Sequence, residues 1–123
     1  MRETLRRHHI SFKNAWAGIT WSFKTQPNFR VHAVLALSAL LLGWYFRITA
    51  LEWTVLIFTI VLGISGEMIN TSLECMTDLI TKEWKIEAKR AKDVSGGMML
   101  VLAIGAACVG IIIFGGRVRD LLY

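Results

Sequence analysis

Three long apolar runs constrain the fold of this chain more than any other feature. They cover residues 31–46, 48–66 and 94–116, and among them only Glu52 introduces a charged side chain. In a chain of 123 residues that is 54% hydrophobic, such contiguous runs are too apolar for a water-soluble domain. A membrane span needs about 20 residues, and the first two runs can borrow neighbouring turns. The sequence therefore predicts one small domain with three spans. A buried soluble helix is the alternative, and it suits the first run better than the other two.

The basic residues predict the orientation of these spans. Most of them lie before the first run or between the second and third, at positions Arg2, Arg6, Arg7, Lys13, Lys24, Arg30, Lys82, Lys85, Lys89, Arg90 and Lys92. The turn between the first two runs has only Arg47. Because basic residues favour the cytoplasmic side, the N-terminus and the loop 81–93 are predicted to be cytoplasmic. The formal net charge of +5 is thus a topology signal, and it gives little reason to propose nucleic acid as a partner.

The segment before the first span has the pattern of a surface helix. Over residues 4–25, large apolar side chains recur at helical spacing, at Leu5, Phe12, Trp16, Ile19 and Phe23. Basic residues lie mostly off this stripe, which is typical of an amphipathic helix in the membrane interface. Gln26 and Pro27 break the helix, and the first span is predicted over residues 29–47.

The second span, predicted over residues 50–80, carries polar side chains where an ordinary anchor has none. Glu67, Asn70, Glu74 and Asp78 project within roughly 80° of one another on a helix. One interpretation is a solvated face whose acids pair with Lys82, Lys89 or Arg90. The other is a binding site, since ionisable residues at membrane depth usually face a cavity or a partner. Carboxylate and amide oxygens suit Mg²⁺ with phosphate, and a carboxylate can deprotonate a hydroxyl, so the pattern fits phosphoryl transfer to a lipid alcohol.

Residues 81–92 are predicted to form a charged connection to the third span, 94–116. Asp93 or Ser95 is the candidate N-cap of that span. The chain contains neither a P-loop pattern nor a Rossmann glycine pattern, so neither of those nucleotide sites is expected.

These residues resemble the signature of the prokaryotic diacylglycerol kinase family. The resemblance rests on Glu67-x-x-Asn70-x-x-x-Glu74-x-x-x-Asp78, followed by Ala91-Lys92-Asp93 at the start of the next span. It extends over most of the chain, and the segment Asn28-Phe29-Arg30-x-His32 is more similar to the undecaprenol kinase branch than to the branch acting on diacylglycerol. The resemblance implies an all-α membrane protein with a surface helix and three spans. It also implies a homotrimer with active sites shared between subunits, in the bacterial inner membrane.

The resemblance also implies a role for each site residue. Glu67 is the general base on the lipid hydroxyl, and Arg30 joins it in contacting the lipid substrate. Glu74 is the principal Mg²⁺ ligand. The residues assigned to ATP and its phosphates are Asn70, Asp78, Glu83, Trp84, Lys85, Lys92, Asp93 and Arg7. For the charged loop residues, and for Arg7, simple solvated charge is the alternative.

One position departs from the family pattern. The family usually has a metal-binding glutamate where this chain has Gln26, which offers a carbonyl oxygen but no charge. Whether a second metal binds therefore stays open. The expected function is transfer of the γ-phosphate of Mg-ATP to undecaprenol, with diacylglycerol as the alternative acceptor. A non-catalytic membrane oligomer that binds a cation is the alternative of another class.

Overall fold

The computed structural model describes residues 2–123, with side chains from Ile10 onwards, and over this range it is helical without any strand. Its helices are α1 (Arg2–Thr25), α2 (Pro27–Tyr45), α3 (Ala50–Ile80) and α4 (Ile86–Leu122). By length and composition, α3 with 31 residues and α4 with 37 residues could each cross a membrane. The predicted all-α fold is confirmed, whereas the number of spans stays a prediction.

The break between α1 and α2 lies where the sequence predicts it. Gln26 is extended, with φ −99° and ψ 112°, and Pro27 opens α2. Proline is tolerated there because the first helical residues have no intrahelical acceptor for their N–H groups. The rings of Phe23 and Phe29 meet edge to face across the break, with centroids 6.4 Å apart. This contact holds the end of α1 against the start of α2.

A tight turn joins α2 to α3. Arg47 adopts a left-handed conformation with φ 49°, and the backbone N–H of Ile48 returns to the carbonyl oxygen of Gly43 at 3.2 Å. A capping box then starts α3: the Thr49 side chain accepts from the backbone N–H of Glu52, whose carboxylate accepts from the backbone N–H of Thr49 at 2.7 Å. These bonds satisfy N–H groups that a helix start leaves free.

The turn end of the molecule contains its apolar core. Ile48, Leu56 and Ile113 are buried together, with Trp53 and Phe114 packed against them. Helix α4 packs mainly on α3, and α2 packs on α3 less extensively.

An ion pair adds to this core. Arg117 near the end of α4 donates two hydrogen bonds, of 2.8 and 2.9 Å, to the two carboxylate oxygens of Glu52. The bidentate geometry fixes orientation as well as distance. The end of α4 is therefore held in register with the start of α3.

The start of α4 corrects two predictions. The helix begins at Ile86 with Lys85 as its N-cap residue, so the prediction that Asp93 or Ser95 caps it is wrong. Only residues 81–85 lie outside helices between α3 and α4, so the predicted loop 81–93 is mostly helix. The physical reason is that residues 86–93 contain no helix breaker, and charged residues such as Glu, Lys and Arg are good helix formers.

Gly43, in the last turn of α2, is closely packed by side chains that follow the turn. A Cβ atom added to Gly43 would lie 2.9 Å from the Trp53 ring and 3.1 Å from Ile48, and a bulky ring cannot move aside easily. We expect Gly43→Ala to lower the free energy of unfolding by about 1–3 kcal/mol. The measurement is unfolding by sodium dodecyl sulfate in mixed micelles, followed by circular dichroism.

The matched control is Gly105→Ala, because a Cβ atom there meets nothing within 4 Å. Its stability should equal or exceed that of the wild type, since alanine is the better helix former. Equal unfolding midpoints for Gly43→Ala and the wild type would contradict the close packing at the turn.

Candidate functional site

One face of α3 changes from buried to exposed along its length. Glu67, Asn70 and Thr71 are buried, whereas Glu74 and Asp78 are exposed. The buried part lies against α4: a Cβ atom on Gly66 would sit 2.3 Å from Leu102 Cδ1. The polar face therefore begins inside the helix packing and ends at the surface.

Glu67 is a buried residue whose carboxylate oxygens still reach open space. Only 3% of the residue is exposed, and within the part of the chain that the structure describes no group donates a hydrogen bond to it. Burial of a charge is unfavourable unless a partner compensates it, so this position is typical of a functional group.

Asn70 links α3 to α4. Ser95 of α4, which is 3% exposed, donates a hydrogen bond of 2.6 Å to Asn70 Oδ1. The amide nitrogen of Asn70 in turn donates to Glu74 Oε1 at 3.2 Å. Sequence reasoning assigned Ser95 only as a possible helix cap and missed this contact. The sequence did contain a signal for it: Ser95 follows Lys92 by three residues, which puts both side chains on one helix face.

Lys92 completes the exposed end of the face. Its ammonium donates a hydrogen bond of 2.6 Å to Asp78 Oδ1, and its charge also interacts with Glu74. Among the basic residues of the solvated-face interpretation, Lys89 pairs with Asp93 on its own helix instead of with α3. The acidic face is thus joined to α4 by Lys92 and Ser95, in a cluster formed by Asn70, Glu74, Asp78, Lys92 and Ser95.

The remaining predicted site residues lie outside this cluster. Gln26 donates to the Thr25 hydroxyl at 3.2 Å, and Arg30 is exposed on α2. Glu83, Trp84 and Lys85 are exposed in the loop after α3. The side chain of Arg7 lies outside the residues whose side chains the structure describes. Among those residues, no three His, Cys, Asp or Glu side chains converge on one point.

An apolar groove of about 370 Å³ runs between α2, α3 and α4. His32 lines it, and so do small and aliphatic side chains that include Ala36, Gly63, Leu102 and Ala106. Gly63 and Ile64 also line the groove, and both precede Glu67 by about one helical turn on α3. A hydrocarbon chain suits this lining chemically, because burying apolar surface from both partners is favourable.

Comparison with known proteins identifies the family. The model of the prokaryotic diacylglycerol kinase family matches residues 13–114. The chain is 34% identical over 113 residues to the undecaprenol kinase of Bacillus subtilis (strain 168), which covers 92% of both proteins. It is 36% identical over 102 residues to the diacylglycerol kinase of Synechocystis sp., covering 82% of this chain and 58% of that protein.

More distant similarity extends to the diacylglycerol kinase of Escherichia coli (strain K12), which is 26% identical over 92 residues, or 75% of each protein. These relatives are named as kinases, so the interpretation as a non-catalytic cation-binding oligomer is set aside. Both the helical structure with its apolar helices and the family point to a membrane location. The chain belongs to the prokaryotic diacylglycerol kinase family, and it is a membrane lipid kinase that uses ATP.

Proposed function

We propose that this kinase transfers the γ-phosphate of Mg-ATP to the hydroxyl of undecaprenol at the cytoplasmic surface of the inner membrane. The observation that carries the proposal is a single face of α3. It joins Glu67, a buried residue that accepts no hydrogen bond from the described residues, to the cluster of Asn70, Glu74, Asp78, Lys92 and Ser95. A lipid hydroxyl and a charged nucleotide need these two environments side by side. Diacylglycerol is the alternative acceptor, since it also presents a primary hydroxyl at the interface.

Two observations favour undecaprenol. The relative matched over nearly its whole length is an undecaprenol kinase. The segment that resembles the undecaprenol branch also contributes to the apolar groove: His32 lines it, and Phe29 is buried. In this proposal the polyprenyl chain lies along the groove and Arg30 contacts the lipid.

Glu67 acts as the general base in the proposed reaction. The alcohol oxygen forms a bond to the γ-phosphorus, the bond from that phosphorus to the β–γ bridging oxygen breaks, and ADP leaves. The proton of the hydroxyl passes to the Glu67 carboxylate. Because this carboxylate accepts no hydrogen bond from the described residues, both of its oxygens are free to take the proton.

Glu74 fits a magnesium ligand. Its side chain is exposed and keeps one carboxylate oxygen free, while Asn70 donates to the other. Mg²⁺ commonly takes one or two carboxylates and completes its shell with phosphate and water, and when bound it would neutralise phosphate charge. Gln26 is assigned no metal of its own, because its amide carries no charge and donates to Thr25.

The nucleotide is proposed to lie beyond Glu74, towards the loop 81–85. Asn70 and Lys92 hold its phosphates, and Asp78 keeps Lys92 in place through their 2.6 Å hydrogen bond. Glu83, Trp84 and Lys85 line the loop, where the exposed Trp84 ring offers a flat face to the base. Arg7 and Asp93 complete the proposed nucleotide contacts. The catalytic effect then comes mainly from positioning and charge neutralisation.

Assembly as a homotrimer would complete this site. One face of α3 leaves the far side of a bound nucleotide uncovered, and large apolar side chains of α4 such as Val101, Ile104 and Ile112 are exposed on the single chain. In a bilayer, lipid or another subunit covers such a surface. We propose that a neighbouring subunit closes each site.

Replacing Glu67 tests the general base. We expect Glu67→Gln to lower turnover by about 10²–10⁴-fold with little change in the affinity for ATP, because the amide keeps the size of the side chain but cannot take the proton. Turnover is measured with the protein in lipid nanodiscs, and nucleotide affinity by calorimetry. Ser38→Ala serves as the control, since that exposed serine bonds only to its own helix. Turnover of Glu67→Gln near that of wild type would remove Glu67 from this role.

Competition between lipids tests the acceptor. Nanodiscs containing undecaprenol and dioleoylglycerol at equal mole fractions are supplied with radiolabelled ATP, and the two products are separated by chromatography. We expect undecaprenyl phosphate to dominate. Predominant phosphatidic acid would instead establish the diacylglycerol alternative.

Mixing inactive variants tests the shared site. If the neighbouring subunit of a symmetric trimer supplies Arg7 to a site whose Lys92 comes from the first chain, equal mixing of Arg7→Ala and Lys92→Ala restores about a quarter of the sites. Activity is measured after co-reconstitution, and mixed oligomers are verified by differently tagged chains. Verified mixed trimers without any recovered activity would show that Arg7 and Lys92 of one site come from the same chain.

A further inference from the structure

Ser95 differs from other helical hydroxyls of this chain in the direction of its hydrogen bond. A serine or threonine inside a helix commonly donates to the carbonyl oxygen four residues earlier. Ser38 does so towards Val34 at 2.9 Å, and Thr77 does so towards Leu73 at 2.8 Å. Ser95 instead donates across to Asn70 on α3 at 2.6 Å. A buried hydroxyl that points away from its own helix contributes to a specific contact between two helices.

The partner of Ser95 is an amide that has two chemically different ends. Because the hydroxyl hydrogen is directed at Oδ1, the nitrogen of Asn70 faces the other way, and it donates to Glu74 Oε1 at 3.2 Å. Rotating the amide by half a turn would aim its oxygen at the Glu74 carboxylate, where two acceptors repel. Ser95 and Glu74 therefore favour the same orientation of the Asn70 amide.

We infer that Ser95 is a positioning residue: its hydroxyl fixes the Asn70 amide, and the amide holds the Glu74 carboxylate in the orientation that binds the metal ion. The inference rests on the proposal that Glu74 is the metal ligand. Partners one shell away from a metal typically change its affinity by about 10–100-fold when they are removed. Asn70 and Ser95 are both buried, with 6% and 3% of their surfaces exposed, so water cannot readily replace the lost bond.

The experiment measures metal binding without turnover. The full-length protein in lipid nanodiscs, loaded with a non-hydrolysable ATP analogue, is titrated with Mn²⁺ as the probe and free Mn²⁺ is followed by electron paramagnetic resonance. We expect Ser95→Ala to weaken Mn²⁺ binding by about 10-fold. Ser95→Thr, which keeps the hydroxyl, should bind Mn²⁺ nearly as the wild type does, and so should the distant control Ser38→Ala.

A double-mutant comparison tests the route through Asn70. Adding Ser95→Ala to Asn70→Ala should cause little further loss, because the amide that Ser95 orients is already gone. If Ser95→Ala does not assemble, Ser95→Cys takes its place, since a thiol of similar size is a much weaker donor. Equal losses from the Ser95 change with and without Asn70 would overturn the inference.

Glu74→Gln separates this inference from the proposed function. If Glu74→Gln weakens Mn²⁺ binding and Ser95→Ala does not, the positioning role is wrong while Glu74 remains the ligand. If neither variant weakens binding, the metal role of Glu74 fails, and the role of Ser95 fails with it. Weakened binding in both, with recovery in Ser95→Thr, supports the proposed chain from Ser95 to Glu74.

Discussion

The close approach of α4 to α3 at Gly66 is the contact on which the site depends. A Cβ atom at this position would lie 2.3 Å from Leu102 Cδ1, so a larger side chain would have to displace Leu102. Glu67 follows Gly66 directly, and Asn70 lies one helical turn further on. On the same face, the short side chain of Ser95 reaches Asn70 at 2.6 Å. The polar cluster is therefore a consequence of apolar helix packing.

A second constraint acts at the other end of the same helix pair. Arg117 and Glu52 form a bidentate ion pair, while Glu52 also caps the start of α3. Together with the Gly66 contact, this pair sets how far α4 slides along α3. A shift of α4 by one turn, about 5.4 Å, would separate Lys92 from Asp78 and Ser95 from Asn70. The register that places the site is thus held far from the site.

The sequence predicts what depends on local pattern and misses what depends on helix register. The break at Gln26, the tight turn after α2 and the shared face of Glu67, Asn70, Glu74 and Asp78 follow from periodicity and backbone chemistry. The contacts of Ser95 with Asn70 and of Arg117 with Glu52 join residues 25 and 65 positions apart, and no periodicity relates such positions. The early start of α4 was missed for a different reason. The apolar run marks the part of the helix that suits the membrane, but the helix itself extends beyond that run.

The gradient of burial along α3 also orders the substrates in the proposed reaction. With a rise of about 1.5 Å per residue, Glu74 lies about 10 Å from Glu67 along the helix axis and Asp78 about 16 Å. In this arrangement the lipid hydroxyl would lie at Glu67 and the metal ion at Glu74. The transferred phosphate would fit between them, because the long side chains of the two glutamates can reach it from both ends. In the proposed site the β-phosphate and the nucleoside would extend past Asp78 and Lys92 towards the loop 81–85. ATP would then align with α3, and its direction would follow from the order in which this helix leaves the apolar packing and reaches water.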